Sequence, residues 1–586
     1  MKMEQLSFDR IEPIRFNPGG RGAVSVSVAA IAPGVSMVRA ATHLASFLAV
    51  TLCAWPALAM SDGDLRAALA QRFDGDRSGA CVAAAMIENG TTAKAYYCAD
   101  PKAQRPYDDH TAFEIGSIGK TMTAALLAEF IARGEVTLAD PLAKLLPPGT
   151  SVPSFNDRQI TLGDVVTHSS GLPSLPPQWD LSDIDNPYAR LTEADVLGAL
   201  AATQLTRRPG SKFEYSNFAM IVLSDAIAKR SGTDYETLLR AHLLVPLGMT
   251  ETYIATPPPG VHPAQGHASN ARPAGPWDFP VNLAGVGGVR ATLPDMVRYL
   301  EGELGTREST ITPALALTQQ QVTRVSGRIM AMNWFLLRAG GHTIAMHEGD
   351  TGGFTSFIAF DRAAQRGVVL LSDTSMSAFG ALTLLGRHVL DPSVAARPPI
   401  TAAVADPKLI DALVGHYRLE NGLVLELRRK GAALAVRAEG QREFEMGYDS
   451  AGDFYPLELD AVLRPERRAD GGMAFAWYQL GARFAATRLG PLPASINRWV
   501  PGEADLKEFE GNFPLTPRFA LRFTSVDAKL TVQGTGQRAL ELAPVEKDIF
   551  VSDVVHAEFG FARDAAGKVV SVTLKQNGQV LRGARE

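Results

Sequence analysis

Cysteine is scarce in this chain, with three in 586 residues, and neither C-x-x-C nor H-E-x-x-H occurs. The eleven histidines are scattered, so the sequence implies no metal and no other cofactor. Runs of like charge are missing too. With a formal net charge of −5, this argues against nucleic acid or an anionic membrane surface as partner, since either favours a basic face. Long apolar runs are also absent. Residues 40–54, AATHLASFLAVTLCA, fall short of the roughly 20 apolar residues of a spanning helix, so no stable membrane span is expected.

That short run follows Arg39 and precedes Ala57-Leu58-Ala59, an A-x-A cleavage signal. Residues 1–59 therefore read as an export leader, with Met37 an alternative start and the mature chain beginning near Met60. The expected location is periplasmic or secreted. Cys53 lacks the small neighbours of a lipoprotein box, so no lipid anchor is expected. Removing the leader leaves Cys81 and Cys98. They flank two strand-like segments joined by Asn89-Gly90, a favoured hairpin turn. Pairing Glu88 with Thr91 sets Cys81 opposite Cys98 at a non-hydrogen-bonded site, where Cα atoms are closest. In an oxidising compartment the pair forms a disulfide; otherwise it stays as two buried thiols.

The length points to about three or four domains. Residues 60–398 mix helix and strand patterns. Helices are expected at 64–73, 117–133, 193–203, 217–231 and 378–390, and late strands at 342–346, 354–360 and 367–373. Strands from both ends of a segment with helices between them indicate an antiparallel sheet flanked by helices, an α+β fold. After the Pro-rich stretch 396–407 the pattern changes to short alternating strands. A shift of 96 residues superposes Gly415 on Gly511, Tyr417 on Phe513, Leu434 on Leu530, Val436 on Val532, Gly440-Gln441 on Gly536-Gln537 and Phe454 on Phe550. One further residue of shift pairs Gln479 with Gln576 and Gly481 with Gly578. Two duplicated all-β barrel-like domains follow, at 405–490 and 504–586, joined by the linker 491–503.

Three clusters carry the chemistry. Ser117 is followed at i+3 by Lys120 on an apolar, buried helix, where burial lowers a lysine's pKa and makes it a base for the serine. Tyr215-Ser216-Asn217 precedes another apolar helix. Its phenol suits proton relay, and its amide suits a substrate's peptide group. The third cluster is His347-Glu348-Gly349-Asp350-Thr351-Gly352-Gly353. Gly349 lets substrate approach the backbone, and the N–H groups of Asp350 and Ser117 suit an oxyanion hole.

The ordered set S-x-x-K, Y-x-N and H-x-G resembles the class C β-lactamase and serine DD-peptidase family. So do ITLGDVVTHSSGLPSLP (160–176), AGVGGVRATLPDMVRYL (284–300) and HEGDTGGFTSFIAF, and the resemblance covers about residues 70–390. It implies a β-lactamase/transpeptidase-like catalytic domain and an acyl-enzyme on Ser117, with Lys120 and Tyr215 sharing the proton work and Asn217 and His347 facing substrate. His168 reads as a structural hydrogen-bonding residue. The doubled β-domain resembles the three-domain layout of D-aminopeptidases. Histidine at 347, where β-lactamases of the family carry lysine, resembles certain DD-carboxypeptidases, D-aminopeptidases and esterases. The implied activity is that of an exported D-amino-acid-specific peptidase of DD-carboxypeptidase or D-aminopeptidase type. An esterase or weak β-lactamase on the same site, and a non-catalytic peptide or β-lactam sensor, are the alternatives. Partners would be small peptides, including peptidoglycan fragments, esters or β-lactams. The sequence sets no oligomeric state.

Overall fold

The computed structural model describes residues 59–100, 107–177, 179, 183, 185–339, 341–376, 381–439, 441–459, 461–468, 471–479, 482–492, 499, 501–517, 519–526, 529–552, 555, 557–576 and 579–586. Apart from its last residue, the leader expected at 1–59, with Met37 and Cys53, lies outside these. So do Gly440, Gly481 and Gly578 of the repeat.

Helix α1 (Asp62–Phe73) begins where the Ser61 side chain accepts from the Asp64 N–H and the Asp64 carboxylate accepts from the Ser61 N–H, a reciprocal cap. Strands β1 (Cys81–Glu88) and β2 (Thr91–Cys98) follow as a hairpin, with Asn89 and Gly90 both at positive φ in its turn. Glu88 stands opposite Thr91 and Cys81 opposite Cys98. The two cysteines are joined by a disulfide, with Cα atoms 4.0 Å apart.

Six further strands come late in the unit: β3 (Thr323–Val325), β4 (Arg328–Met330), β5 (Phe335–Ala339), β6 (His342–Asp350), β7 (Thr355–Asp361) and β8 (Arg366–Ser372). The antiparallel sheet runs β2-β1-β8-β7-β6-β5-β4-β3, so the first hairpin closes on the last strand, Ala84 opposite Leu370. Helices cover both faces, which is why β7 is buried at every position and its sequence shows no polar alternation. Ile358 and Phe360 enter the core shared with α2 (Gly119–Ala132), α3 (Asn217–Ser231) and α4 (Leu293–Leu304). Phe357 and Ala359 enter the opposite core with α1 and α5 (Ala381–Leu390). Each large apolar side chain so buried contributes about 1.5–3 kcal/mol.

The β-rich C-terminal part contains two barrel-like sheets, one of nine strands, in which the short strand Ala402–Ala403 adds to an eight-strand ring, and one of eight. In the first, strands from Gly415–Leu419 to Ala482–Gly490 follow one another in sequence order, and the first pairs with the last, Leu419 opposite Ala486, closing the ring. The second repeats this from Gly511–Thr516 to Gln579–Ala584. There the Glu586 N–H donates to the Asn512 carbonyl at 3.0 Å, bringing the two edges together. Both are filled by side chains, the second by an aromatic cluster that includes Phe513, Phe523, Phe550 and Phe561. The first barrel is tied to the α+β unit. Arg77 pairs with Asp449 at 2.8 Å, both side chains buried, and lies over the Tyr455 ring. Val462 joins the core containing α1 and α5.

Candidate active site

A short strand, Thr111–Glu114, delivers the chain to Ile115-Gly116-Ser117. This turn lies hard against the end of β6. Gly116 has φ +48°, and a Cβ there would meet the Asp350 nitrogen at 2.7 Å. A Cβ on Gly349 would overlap the Ile115 carbonyl oxygen. Ser356 on β7 fastens the same carbonyl, its hydroxyl donating at 2.8 Å. Two glycines thus set the position of the serine. Ser117 lies in a single 3₁₀ turn, Gly116–Ile118, and the α-helix starts only at Gly119, two residues later than the sequence pattern suggests.

Lys120, one turn on, is wholly buried. Its Nζ lies 2.7 Å from Ser117 Oγ and donates to the Val286 carbonyl, also at 2.7 Å. Burial alone holds this amine well below the ordinary lysine range. Among the described residues no carboxylate counters the desolvation, which favours the neutral amine with its free electron pair. Tyr215 hydrogen-bonds Ser117, and burial raises its phenol above the usual range, so the phenol keeps its proton. Its ring stacks on His168 at 4.2 Å, and Lys120 Nζ lies 5.0 Å from its centroid. His168 Nδ1 accepts from the Ser216 N–H at 3.2 Å. Burial pushes this imidazole well below its usual range.

Ser216, not Asn217, caps α3, accepting the Ala219 N–H at 3.0 Å. The Asn217 amide is therefore spared from capping. Its Nδ2 donates to Tyr188 Oη at 3.3 Å, and its buried Oδ1 meets no protein donor. Tyr188 stands in an aromatic wall with Phe279 (4.3 Å), Trp179 (4.6 Å) and Trp277 (5.4 Å).

The third cluster lies on β6 itself, which runs on to Asp350 instead of stopping at 346. His347 is buried. Its Nδ1–H donates to the Glu348 carbonyl at 2.6 Å, which leaves Nε2 as an acceptor with no protein partner. Burial pushes this imidazole down to about 3, against the backbone bond. The ring lies 6.4 Å from Tyr215. Thr351 N–H bonds Phe354 O, so the next pair outward, Asp350 opposite Thr355, is the non-hydrogen-bonded kind. The Asp350 N–H therefore points away from β7, on the side where Gly116 approaches.

Ser117, Lys120 and Tyr215 are thus in direct hydrogen-bond contact. Gly349 and Asp350 back the serine turn, His347 lies next to Tyr215, and Asn217 joins through Tyr188. Sequence reasoning missed the Val286 carbonyl, the Gly116 approach and Tyr188. Val286 stands inside the quoted run AGVGGVRATLP, but a backbone acceptor leaves no residue-type signal. Among the described residues, no group of three or more His, Cys, Asp or Glu side chains is placed to hold a metal ion. No described helix is long and apolar enough to cross a membrane.

The family model described as Beta-lactamase matches residues 66–387. The chain is 30% identical over 261 residues to the D-alanyl-D-alanine-carboxypeptidase/endopeptidase AmpH of Escherichia coli K12, across 42% of this chain and 66% of that protein, just under two thirds of its length. It is 27% identical over 335 residues to the Beta-lactamase of the same strain, across 50% of this chain and 83% of that one. A solved D-alanine carboxypeptidase AmpC from Burkholderia cenocepacia is 22% identical with a TM-score of 0.46, covering 56% of this chain and 99% of its own. Since the family match takes in more than half of its length, this chain belongs to the β-lactamase family of serine hydrolases.

Proposed function

We propose that the protein hydrolyses small amide or ester acyl donors through an acyl-enzyme on Ser117, and that D-amino-acid peptides are its main substrates. The observation that carries this reading is the buried, carboxylate-free Lys120 amine 2.7 Å from Ser117 Oγ. Lys120 takes the hydroxyl proton as Oγ bonds to the substrate carbonyl carbon. The developing oxyanion is met by the N–H groups of Ser117 and Asp350. As the carbonyl–nitrogen or carbonyl–oxygen bond breaks, Tyr215 passes a proton to the leaving atom and is reprotonated from Lys120. Water then attacks the ester on Ser117, with the same groups working in reverse. Asn217 aligns the substrate amide.

The D-peptide assignment rests on the relative named D-alanyl-D-alanine-carboxypeptidase/endopeptidase; a neutral His347, which supplies no fixed charge for a carboxylate, favours uncharged acyl donors such as peptide amides over β-lactams and free C-terminal D-residues. Export is supported by the Cys81–Cys98 disulfide, which persists in an oxidising compartment. The test is covalent labelling by a fluorophosphonate and a fluorescent penicillin, with peptide mapping. The adduct is expected on Ser117 and absent in Ser117→Ala. An unchanged hydrolysis rate in Ser117→Ala overturns the reading.

A further inference from the structure

The turn after β6 carries two glycines, Gly352 and Gly353, that the proposed chemistry leaves unexplained. Both are crossed by residues 264–279. This segment starts beside the strand Thr111–Glu114, where the Ala264 N–H donates to the Ala112 carbonyl at 2.8 Å. It then runs over the turn. A Cβ on Gly353 would meet the Gly266 Cα at 2.8 Å, and the His267 N–H donates to the Gly353 carbonyl at 3.1 Å. From there it folds into a hairpin, closed by Ala274 N–H to the Gly266 carbonyl and Ala268 N–H to the Arg272 carbonyl, both at 2.8 Å. The returning limb reaches the buried Glu114, whose Oε1 accepts from the Trp277 N–H at 3.0 Å, and Arg290 donates to the Trp277 carbonyl at 2.9 Å. The Trp277 ring lies over the turn, where a Cβ on Gly352 would meet its Nε1 at 2.6 Å.

The tip of the hairpin rests on the first barrel. Asn270 Nδ2 donates to the Leu457 carbonyl at 3.3 Å, and the Arg272 guanidinium donates to the Glu458 carbonyl. Arg77, held by Asp449 and the Tyr455 ring, also donates to the Ser269 carbonyl at 3.2 Å. One hairpin therefore has its tip on the barrel and its base at the serine site.

At that base Trp277 touches two parts of the site. On one side is the turn that follows Asp350, whose N–H faces the oxyanion. On the other is the Tyr188 ring at 5.4 Å, whose Oη holds Asn217 Nδ2 at 3.3 Å. Tyr188 is buried at the centre of the wall, whereas Trp179, Trp277 and Phe279 are half-exposed. An acyl donor with its carbonyl at the oxyanion hole and its amide at Asn217 would lay its side chain on these rings. Their flat apolar faces suit an aromatic or large apolar group, and a methyl group covers little of them.

We infer that Trp277 selects acyl donors with an aromatic or large apolar side chain, and that the first barrel fixes this preference by holding the hairpin at Asn270 and Arg272. Trp277 is the specificity-determining residue, and Asn270 and Arg272 are positioning residues that act through it. This rests on the proposed acyl-enzyme chemistry at Ser117.

The experiment uses the full-length chain and two N-acetyl-D-aminoacyl anilides, one with a methyl and one with a benzyl side chain. kcat and KM are measured for wild type, Trp277→Ala, Trp277→Phe, Arg272→Lys and the double change Asn270→Ala with Arg272→Ala. Boronic acids with the same side chains give Ki values, so the ratio is read even where turnover is slow. Wild type is expected to favour the benzyl donor. Trp277→Ala should lower the benzyl-to-methyl ratio of kcat/KM by about tenfold, and Trp277→Phe should keep most of it. The double variant should lower the ratio by about threefold or more, carried in KM for the benzyl donor, with kcat for the methyl donor changed by less than about twofold. Arg272→Lys keeps a donor for the Glu458 carbonyl and should stay near wild type. Should the double variant fold poorly, Arg272→Ala alone, at an exposed residue, carries the same test. A wild type without preference for the benzyl donor, or a ratio unchanged within twofold in Trp277→Ala, overturns the proposal. A ratio unchanged in the barrel-contact variants, or an equal loss on both donors, overturns the barrel's part in it. If a fluorophosphonate fails to label Ser117 in wild type, the serine-hydrolase reading itself fails, and this inference falls with it.

Discussion

Gly349 on β6 lies so close to Ile115 that a Cβ on the glycine would overlap the Ile115 carbonyl oxygen. The obstacle is backbone, pinned by Ser356, and cannot swing aside as a side-chain end can. Gly349→Ala must therefore push the nucleophile turn away from the strand. A displacement near 1 Å costs on the order of 10²-fold in rate. We expect kcat/KM to fall by about that factor, with a lower melting temperature. Steady-state kinetics and thermal unfolding on the same preparation check this, and full activity in Gly349→Ala would show that turn and strand are not held together as described.

Lys120 gives a pH signature. Desolvation lowers its pKa, so the neutral, base-competent form becomes dominant at a lower pH than for an ordinary lysine. kcat/KM should rise with pH and level off well below the usual lysine range near 10.4. Lys120→Ala should cost about 10²–10⁴-fold. Lys120→Arg should fare no better, because a guanidinium does not give up its proton in this range. A profile still climbing at pH 10 would contradict a neutral Lys120.

Glu303 on α4 is wholly buried, its carboxylate accepting from Gln319 Nε2 at 2.6 Å, and burial pushes it up to about 7. The sign follows from the raised value. The folded state prefers the neutral acid, so this contribution is complete below about pH 4.5 and is lost as pH rises through 7. The swing is on the order of 3 kcal/mol. Glu303→Gln should flatten the stability profile between pH 5 and 8. Chemical denaturation across that range, read for parallel curves in the two proteins, is the measurement.

Much of the site was legible because its signals are local. The Asn89-Gly90 turn fixes the register that sets Cys81 against Cys98, and the i, i+3 spacing sets Ser117 against Lys120. The 96-residue shift pairs Gly415–Leu419 with Gly511–Thr516, the first strands of the two barrels. The illegible parts are long-range. Arg77 and Asp449 are 372 residues apart, and nothing near either marks the contact. The sequence pattern starts the α-helix at 117, two residues before Gly119, because the 3₁₀ turn at Gly116 answers to the strand beneath it and not to the helix's own sequence. The sequence pattern shows a strand only at 342–346, whereas β6 runs on through the polar HEGD segment, which lies between a neighbouring strand and the serine turn.

The Arg77–Asp449 contact gives a stability prediction. Removing one member of a buried ion pair leaves an uncompensated charge and costs about 3–5 kcal/mol. Arg77→Ala should loosen the first barrel from the catalytic unit. The double change Arg77→Met with Asp449→Leu should recover much of the loss. Limited proteolysis between 396 and 407 reads the loosening, and calorimetry reads the cost. Equal damage in the single and double variants would mean that Arg77 acts through the Tyr455 ring instead of the ion pair.

His347 provides the last test. Its folded pKa of about 3 lies below the ordinary value near 6.5, so the imidazole stays neutral throughout the working range. By linkage this favours folding fully above pH 6.5, and the contribution is lost as pH falls toward 3. Activity between pH 5.5 and 8.5 should show no inflection from this residue, and its imidazole resonances should not titrate there. His347→Gln keeps a neutral acceptor and should retain most of the turnover. His347→Lys places a cation beside Lys120 and Glu348. It should lower the Lys120 pKa further, shift Glu348 toward its ionised form, and raise kcat/KM for a free-acid substrate relative to its matched amide. The comparison is that ratio in wild type and both variants across the pH range. An identical ratio in all three proteins would show that residue 347 does not read substrate charge.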